Sequence, residues 1–340
     1  MPVRSRRRFM ELLALTGAGC AVRGGGGGWP GAEWERIDPL ARAHGGRGWA
    51  AWESGRRVAG WNDRYGGPVL SITKALAALA AARADAEGWL DAGESVADTV
   101  PEWRADPRKR RITVAMLLQQ TAGLASGVAA LYRDPADKGS RAVALRCIDE
   151  PGTFFRYGPA CWEVLAELMQ RKLSRRDRSL EDFLDRAVMR PLGLASPEWR
   201  SDRRGRFFLS TGAELRVAEL GRLGGAIAKL LQGGEAGGIP ADAFARMTRS
   251  SAANPLFGGG LWRNSGGREI EVESALDPAP AASFWRDACL SRQQPRDLVA
   301  LIGSSGRRVF IWPSSGRVIA RHGVSAAWRD RPFLAALPTA

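Results

Sequence analysis

The sequence predicts an α+β fold: an antiparallel sheet built from N- and C-terminal strands and flanked by helices, with a helical subdomain beside it. Three observations carry this. Strand-like apolar runs stand at both ends of the chain, within 48–61 and 298–322. Helical runs fill most of the middle. No internal repeat divides the 340 residues, which suffice for one large domain or two intimate subdomains.

In order, Trp49-Ala50-Ala51-Trp52-Glu53 and Arg56 to Trp61 read as two strands around the turn Ser54-Gly55. An alanine-rich helix, Ala75 to Ala84, follows and closes near Gly88, a C-cap signal. Residues 91–111 are loop-rich, and Ile112 to Gln120 is a short helix. Helical runs are expected at about 159–173, 179–190 and 213–232, the first opening on Pro159, which suits a first turn. Residues 250–296, with Gly258-Gly259-Gly260, read as irregular. Leu298–Ile302, Val309–Trp312 and Val318–His322 are three strands separated by Ser/Gly turns, and Ala326 to Leu337 is a closing helix. The helical subdomain spans about 90–250 of a domain running from 36 to 340.

The N-terminus reads as an export signal over 1–21. Ser5-Arg6-Arg7-Arg8-Phe9-Met10 resembles the twin-arginine consensus. Leu12 to Ala21 is apolar, too short to span a bilayer, and fits a cleavable segment. Residues 22–35, with Gly24 to Gly28, form a flexible linker. Cys20 opens the alternative of a lipid anchor, although Gly17-Ala18-Gly19-Cys20 lacks the usual leucine. Such a protein would be periplasmic or outer-envelope, and any membrane contact would be through that anchor. In an oxidising compartment Cys147 and Cys161 either pair around Pro151-Gly152 or stay as small buried thiols.

Composition narrows the chemistry. The net charge is +14, yet the basic residues are scattered, and the nearest cluster, Arg104 to Arg111, looks like a solvated loop. Nucleic-acid binding wants clustered cations with interleaved aromatics. The four cysteines include no Cys-x-x-Cys pair, so no metal site is expected, and no organic cofactor is implied. The two histidines, His44 and His322, belong to no nucleophile-elbow pattern.

Ser71-Ile72-Thr73-Lys74 remains. Positions i and i+3 on the first turn of a helix share a face, which brings an amine to a hydroxyl. Serine is a weak nucleophile without a base. Lysine can be that base when burial lowers its pKa. The chain has only five lysines against 45 arginines.

With its neighbours, this motif resembles the serine β-lactamase and penicillin-binding superfamily. It is most similar to the class C-like branch of esterases, D-aminopeptidases and 6-aminohexanoate-dimer hydrolases. The likeness runs from about residue 36 onward. It rests on Ser71 to Lys74, Glu87 to Asp91, Ile112 to Leu124, Phe183 to Leu194 and Ser210 to Gly224. The resemblance implies a β-lactamase/transpeptidase-like fold and a serine hydrolase acting on a small ester or amide. Phe155-Arg156-Tyr157-Gly158-Pro159 stands where the family has Tyr-x-Asn. Tyr157 would then relay a proton as a phenolate, or be a packed aromatic, and Pro159 removes the amide that reads substrate. Leu301-Ile302-Gly303 stands where the family's third motif lies, with leucine in place of a cation. Arg321-His322-Gly323 is rejected for that place because only a helix follows it. By analogy the backbone amides of Ser71 and Ser304 would form an oxyanion hole. Gly303 would line the pocket, as would Trp262, unless the latter is core. Gln120 and Ala122 replace the family's usual His and Ser. These departures leave a second reading, a non-catalytic binding or envelope protein that keeps the fold.

Overall fold

The structure is a computed structural model that describes residues 31–133, 136–195 and 198–338. The export signal, the glycine run and Cys20 lie outside the described residues. Helix α1 (Gly31–Arg42) begins inside the stretch read as linker. It buries Trp34 and Ile37, and the Trp34 ring stands 6.4 Å from that of Trp49. Strands β1 (Gly46–Glu53) and β2 (Arg56–Trp61) form the expected hairpin. Ser54 and Gly55 both hold positive φ in its turn, as a tight hairpin loop requires.

Strand β3 (Gly66–Pro68) leads through one 3₁₀ turn, Leu70–Ile72, into α2 (Thr73–Ala86). Alanine makes α2 slim enough to be enclosed on all sides, and it is buried from Thr73 to Ala82. Glu87 caps its C-terminus and Gly88 follows with φ of 73°, which turns the chain out of the helix.

The helical subdomain holds α3 (Val96–Thr99), α4 (Val114–Leu118), α5 (Val128–Tyr132), α6 (Lys138–Ala144), α7 (Ala160–Ser174) and α8 (Leu180–Phe183). Ser95, Thr113, Asp137 and Ser179 cap four of them through side-chain oxygens. The helix expected to 190 changes after α8 into a π-helical turn, Leu184–Met189. The helix expected from 213 starts later, because β4 (Glu214–Arg216) first pairs with β3; α9 (Val217–Leu231) follows.

Helix α10 (Ala241–Met247) comes next, and the stretch expected to be irregular contains short elements: β5 (Phe257–Gly258), β6 (Leu261–Arg263), β7 (Arg268–Glu269), α11 (Val272–Ala275), α12 (Ala282–Arg286) and β8 (Ala288–Cys289). Strands β9 (Val299–Gly303), β10 (Arg307–Trp312) and β11 (Arg317–Gly323) then precede α13 (Asp330–Ala336).

Among the described residues, seven strands make one antiparallel sheet in the order β2-β1-β11-β10-β9-β6-β5. The chain's last strand lies beside its first, Gly46 opposite Gly323 and Glu53 opposite Arg317. Buried Arg321 fastens this junction, donating to Ala41 O and Ala43 O of the N-terminal segment and to Gly306 O, under the Trp328 ring. No helix among the described residues is long and apolar enough to cross a membrane. Cys147 and Cys161 are free buried thiols, so the unpaired alternative is the one observed.

Candidate active site

Ser71 sits in the 3₁₀ turn at the head of α2, partly open to solvent, while Ile72, Thr73 and Lys74 are buried. The residue before it, Leu70, holds φ of +50°. A bulky side chain in that region is strained and persists only where its surroundings impose it. They do so here: Val69 N donates to Ala213 O (3.0 Å), Ala213 N donates to Thr73 Oγ1 (3.1 Å), and Arg307 Nε donates to Pro68 O (2.6 Å). Gly260 closes the other side. A Cβ there would lie 2.7 Å from the backbone of Lys74 and Ala75, so only glycine lets the β5–β6 turn come so near.

Lys74 is 1% exposed. Its Nζ donates to Ser71 Oγ at 2.9 Å and to the Ser210 carbonyl at 2.8 Å, and stands 4.9 Å from the centre of the Tyr157 ring. Burial drives its pKa down to about 7, outweighing the opposing pull of Glu163. Lys74 therefore exchanges its proton near neutrality. As a free amine it can keep an N–H on Ser210 O and turn its lone pair to Ser71.

The Tyr157 hydroxyl faces the Ser71 side chain. Dense packing around that hydroxyl raises its pKa well above the usual phenol range. The expected phenolate is therefore corrected: burial disfavours the charged form, and Tyr157 is a neutral phenol at physiological pH. Its loop is held by Gln120, whose backbone carbonyl accepts from Arg156 N (3.0 Å) and whose side-chain Oε1 accepts from Gly158 N (2.7 Å). Pro159 is the N-cap of α7, where a missing N–H costs no helical bond.

Trp262 does not line a pocket. It is 1% exposed and packs with Phe257, Trp285 and Phe155 behind the Tyr157 ring, 6.1 Å away. The pocket assignment is corrected to a core role, because β6 turns this ring inward.

Strand β9 borders the nucleophile turn. A Cβ on Gly303 would lie 2.4 Å from Val69 O, so glycine is required for this approach. Gly303 is itself buried and shapes the site by proximity, not as an open wall. Leu301, two residues back on the same face, is fully buried and brings no charge. Ser304 follows, exposed, in a turn held from several sides. Arg307 Nη1 donates to Ser304 O (2.8 Å), Arg308 Nη1 to Gly303 O (2.6 Å), and Ser305 N to Glu273 Oε1 (3.1 Å). Arg308 is in turn ion-paired to Asp330 and Glu273. His322 lies elsewhere: burial holds its pKa near 4, so the neutral ring donates from Nε2 to Leu215 O (2.8 Å).

Four further residues converge on Lys74, none singled out from the sequence as functional. Ser210 supplies the carbonyl. Glu163 Oε1 accepts from both Ser210 N (3.0 Å) and Ser210 Oγ (2.6 Å), and Lys138 Nζ lies 2.7 Å from Glu163 Oε2. Tyr132 contacts the Ser210 and Thr211 side chains, and burial pushes its pKa up to about 12. One signal was available: Glu163 is the sole charged residue in the run Ala160 to Ala166. An acid among apolar helix positions is buried and needs a partner.

A scan against protein families matches Beta-lactamase over residues 12–259. No curated protein matches the sequence. Among solved structures, the chain resembles a family VIII carboxylesterase, with 18% identity, TM-score 0.63 and coverage of 92% of this chain and 97% of that one. A penicillin-binding protein homolog from Caulobacter crescentus shares 19% identity, TM-score 0.62, over 91% and 95%. A class C beta lactamase from Rhodobacter sphaeroides shares 17%, TM-score 0.62, over 88% and 95%. At these identities the structural likeness speaks for the fold alone. With a family match over most of the chain, a buried lysine on a serine and a tyrosine beside both, this protein belongs to the Beta-lactamase family of serine hydrolases.

Proposed function

We propose that the protein is an exported serine hydrolase that cleaves an ester or a small amide through an acyl-enzyme on Ser71. The observation that carries this is the 2.9 Å contact between Ser71 Oγ and a buried Lys74 whose pKa is near 7. In the free-amine form, Lys74 takes the Ser71 proton as Oγ bonds to the substrate carbonyl carbon. The Ser71 and Ser304 amides receive the charge that develops on the carbonyl oxygen. As the tetrahedral adduct collapses, the proton on Lys74 passes through the Tyr157 hydroxyl to the leaving oxygen or nitrogen. Water then attacks the acyl carbon by the same proton route and restores Ser71.

The departures set the preference. Pro159 offers no side-chain amide to a substrate's acyl-amide group, and Leu301 offers no cation to a carboxylate. One neutral hydrogen bond is worth about 0.5–1.5 kcal/mol, so its loss biases the enzyme without barring amides. Comparing kcat/KM for p-nitrophenyl acetate or butyrate with that for penicillins and cephalosporins tests the reading. Clear ester hydrolysis with much weaker β-lactam turnover is expected; efficient cephalosporin turnover without esterase activity contradicts it. The same two departures favour one other reading, a binding or envelope protein with little turnover, for which neither substrate class would be cleaved.

A further inference from the structure

We propose that the buried Lys138–Glu163 ion pair is a positioning device that aims Lys74 and sets its protonation state; this rests on Ser71 and Lys74 being nucleophile and base. The pair lies 2.7 Å apart with side chains 3% and 0% exposed. Glu163 grips both the N–H and the hydroxyl of Ser210, and the carbonyl of that same residue takes a hydrogen bond from Lys74. Four segments thus meet in one chain of contacts: α6, α7, the loop before β4, and α2.

Stability does not account for the pair. Taking two charges out of water costs several kcal/mol per ion, and well-packed apolar replacements of such pairs are often as stable or more so. Its place beside the base gives it another consequence. The Glu163 carboxylate favours the ammonium form of Lys74, and the charge of the Lys138 ammonium, 2.7 Å from that carboxylate, acts in the opposite sense. Removing one charge unbalances the site in one direction, and removing the other unbalances it in the opposite direction.

The other groups around Lys74 leave this balance to the pair. Ser71 and Tyr157 face it directly, the latter as a neutral phenol, and Tyr132 touches Ser210 as another neutral phenol. Asp202 takes the Lys138 backbone N–H at 3.0 Å. Arg200 stacks on Phe208, whose ring also faces Lys138. Beyond Tyr157, Glu273 and Arg308 are paired with each other.

The test is the pH dependence of Ser71 labelling by a fluorophosphonate, read as adduct mass with the site mapped on peptides. Glu163→Gln keeps the Ser210 contacts and removes the negative charge. Its labelling should begin at lower pH, the acid limb moving down by about one unit. Lys138→Met leaves Glu163 unopposed, and the limb should move up by a similar amount. The double variant should fall back near the wild type. A merely structural role would slow labelling by one factor at every pH and leave the limb in place, and that result overturns the inference while Ser71 stays the nucleophile. Should Lys138→Met not fold, the Glu163→Gln shift decides alone. If wild-type protein carries no adduct on Ser71, both this inference and the reading beneath it fall.

Discussion

Lys74 answers to two opposed requirements. Enclosure makes it a usable base near neutral pH, and the same enclosure disfavours the charged form. Its pKa in the folded protein, about 7, lies below the ordinary 10.5. Between those values the unfolded chain holds a proton that the folded state has shed, so stability rises with pH across that window. Below about 7 the penalty is present in full. Lys74→Met should therefore be more stable than the wild type by one to a few kcal/mol at pH 6–7, since each displaced unit is worth about 1.4 kcal/mol. The gain should shrink towards pH 10, and melting curves across that range check it. The same titration should appear in activity: kcat/KM for ester should rise tenfold per pH unit below about 7 and then level. Ser71→Ala should lower turnover by at least about 10³-fold while leaving the melting temperature within a few degrees.

At the scale of elements, the site depends on how the loop before α7 and the β5–β6 hairpin are held. Gln120 holds the first, buried and with φ of +56°, while Leu118, two residues before it, accepts from Gly259 N of the second. Gln120→Leu removes the acceptor of the Gly158 N–H and leaves that donor buried. About 1–3 kcal/mol of stability should be lost, with a fall in kcat larger than the change in KM, because Tyr157 would no longer be fixed against Ser71. Trp262 gives the complementary test. As a core ring behind Tyr157, its truncation to Ala should cost about 3–5 kcal/mol and act on all substrates alike. A pocket wall would instead alter the ranking among esters of different acyl length. Unfolding by denaturant and a series of p-nitrophenyl esters separate the two.

Over the whole molecule, the sheet closes by pairing the first long strand with the last, and this brings β9 beside the head of α2 while the helical subdomain delivers Tyr157 from the other side. Much of this was legible in the sequence. Apolar runs at the two ends announced one sheet, the alanine run announced the helix behind Ser71, and the order of strands after Gly303 separated β9 from the tempting Arg321-His322-Gly323. What was not legible has physical causes. An aromatic residue such as Trp262 has the same signature on a pocket wall as in a core. The protonation of Tyr157 depends on packing density around its oxygen, which no motif encodes. Glu163 and Lys138 lie 25 positions apart on two helices, and nothing local pairs them. β4 was missed because three residues beside a helix start carry too little pattern to mark a strand. The central claim, that Ser71 is the nucleophile and Lys74 its base, is tested most directly by peptide mapping after treatment with a fluorophosphonate, on the wild type and on Lys74→Met. The account predicts a single adduct on the Ser71 peptide of the wild type and at least about a hundredfold slower labelling of the variant; an adduct on another serine, or equal labelling rates in the two proteins, would contradict it.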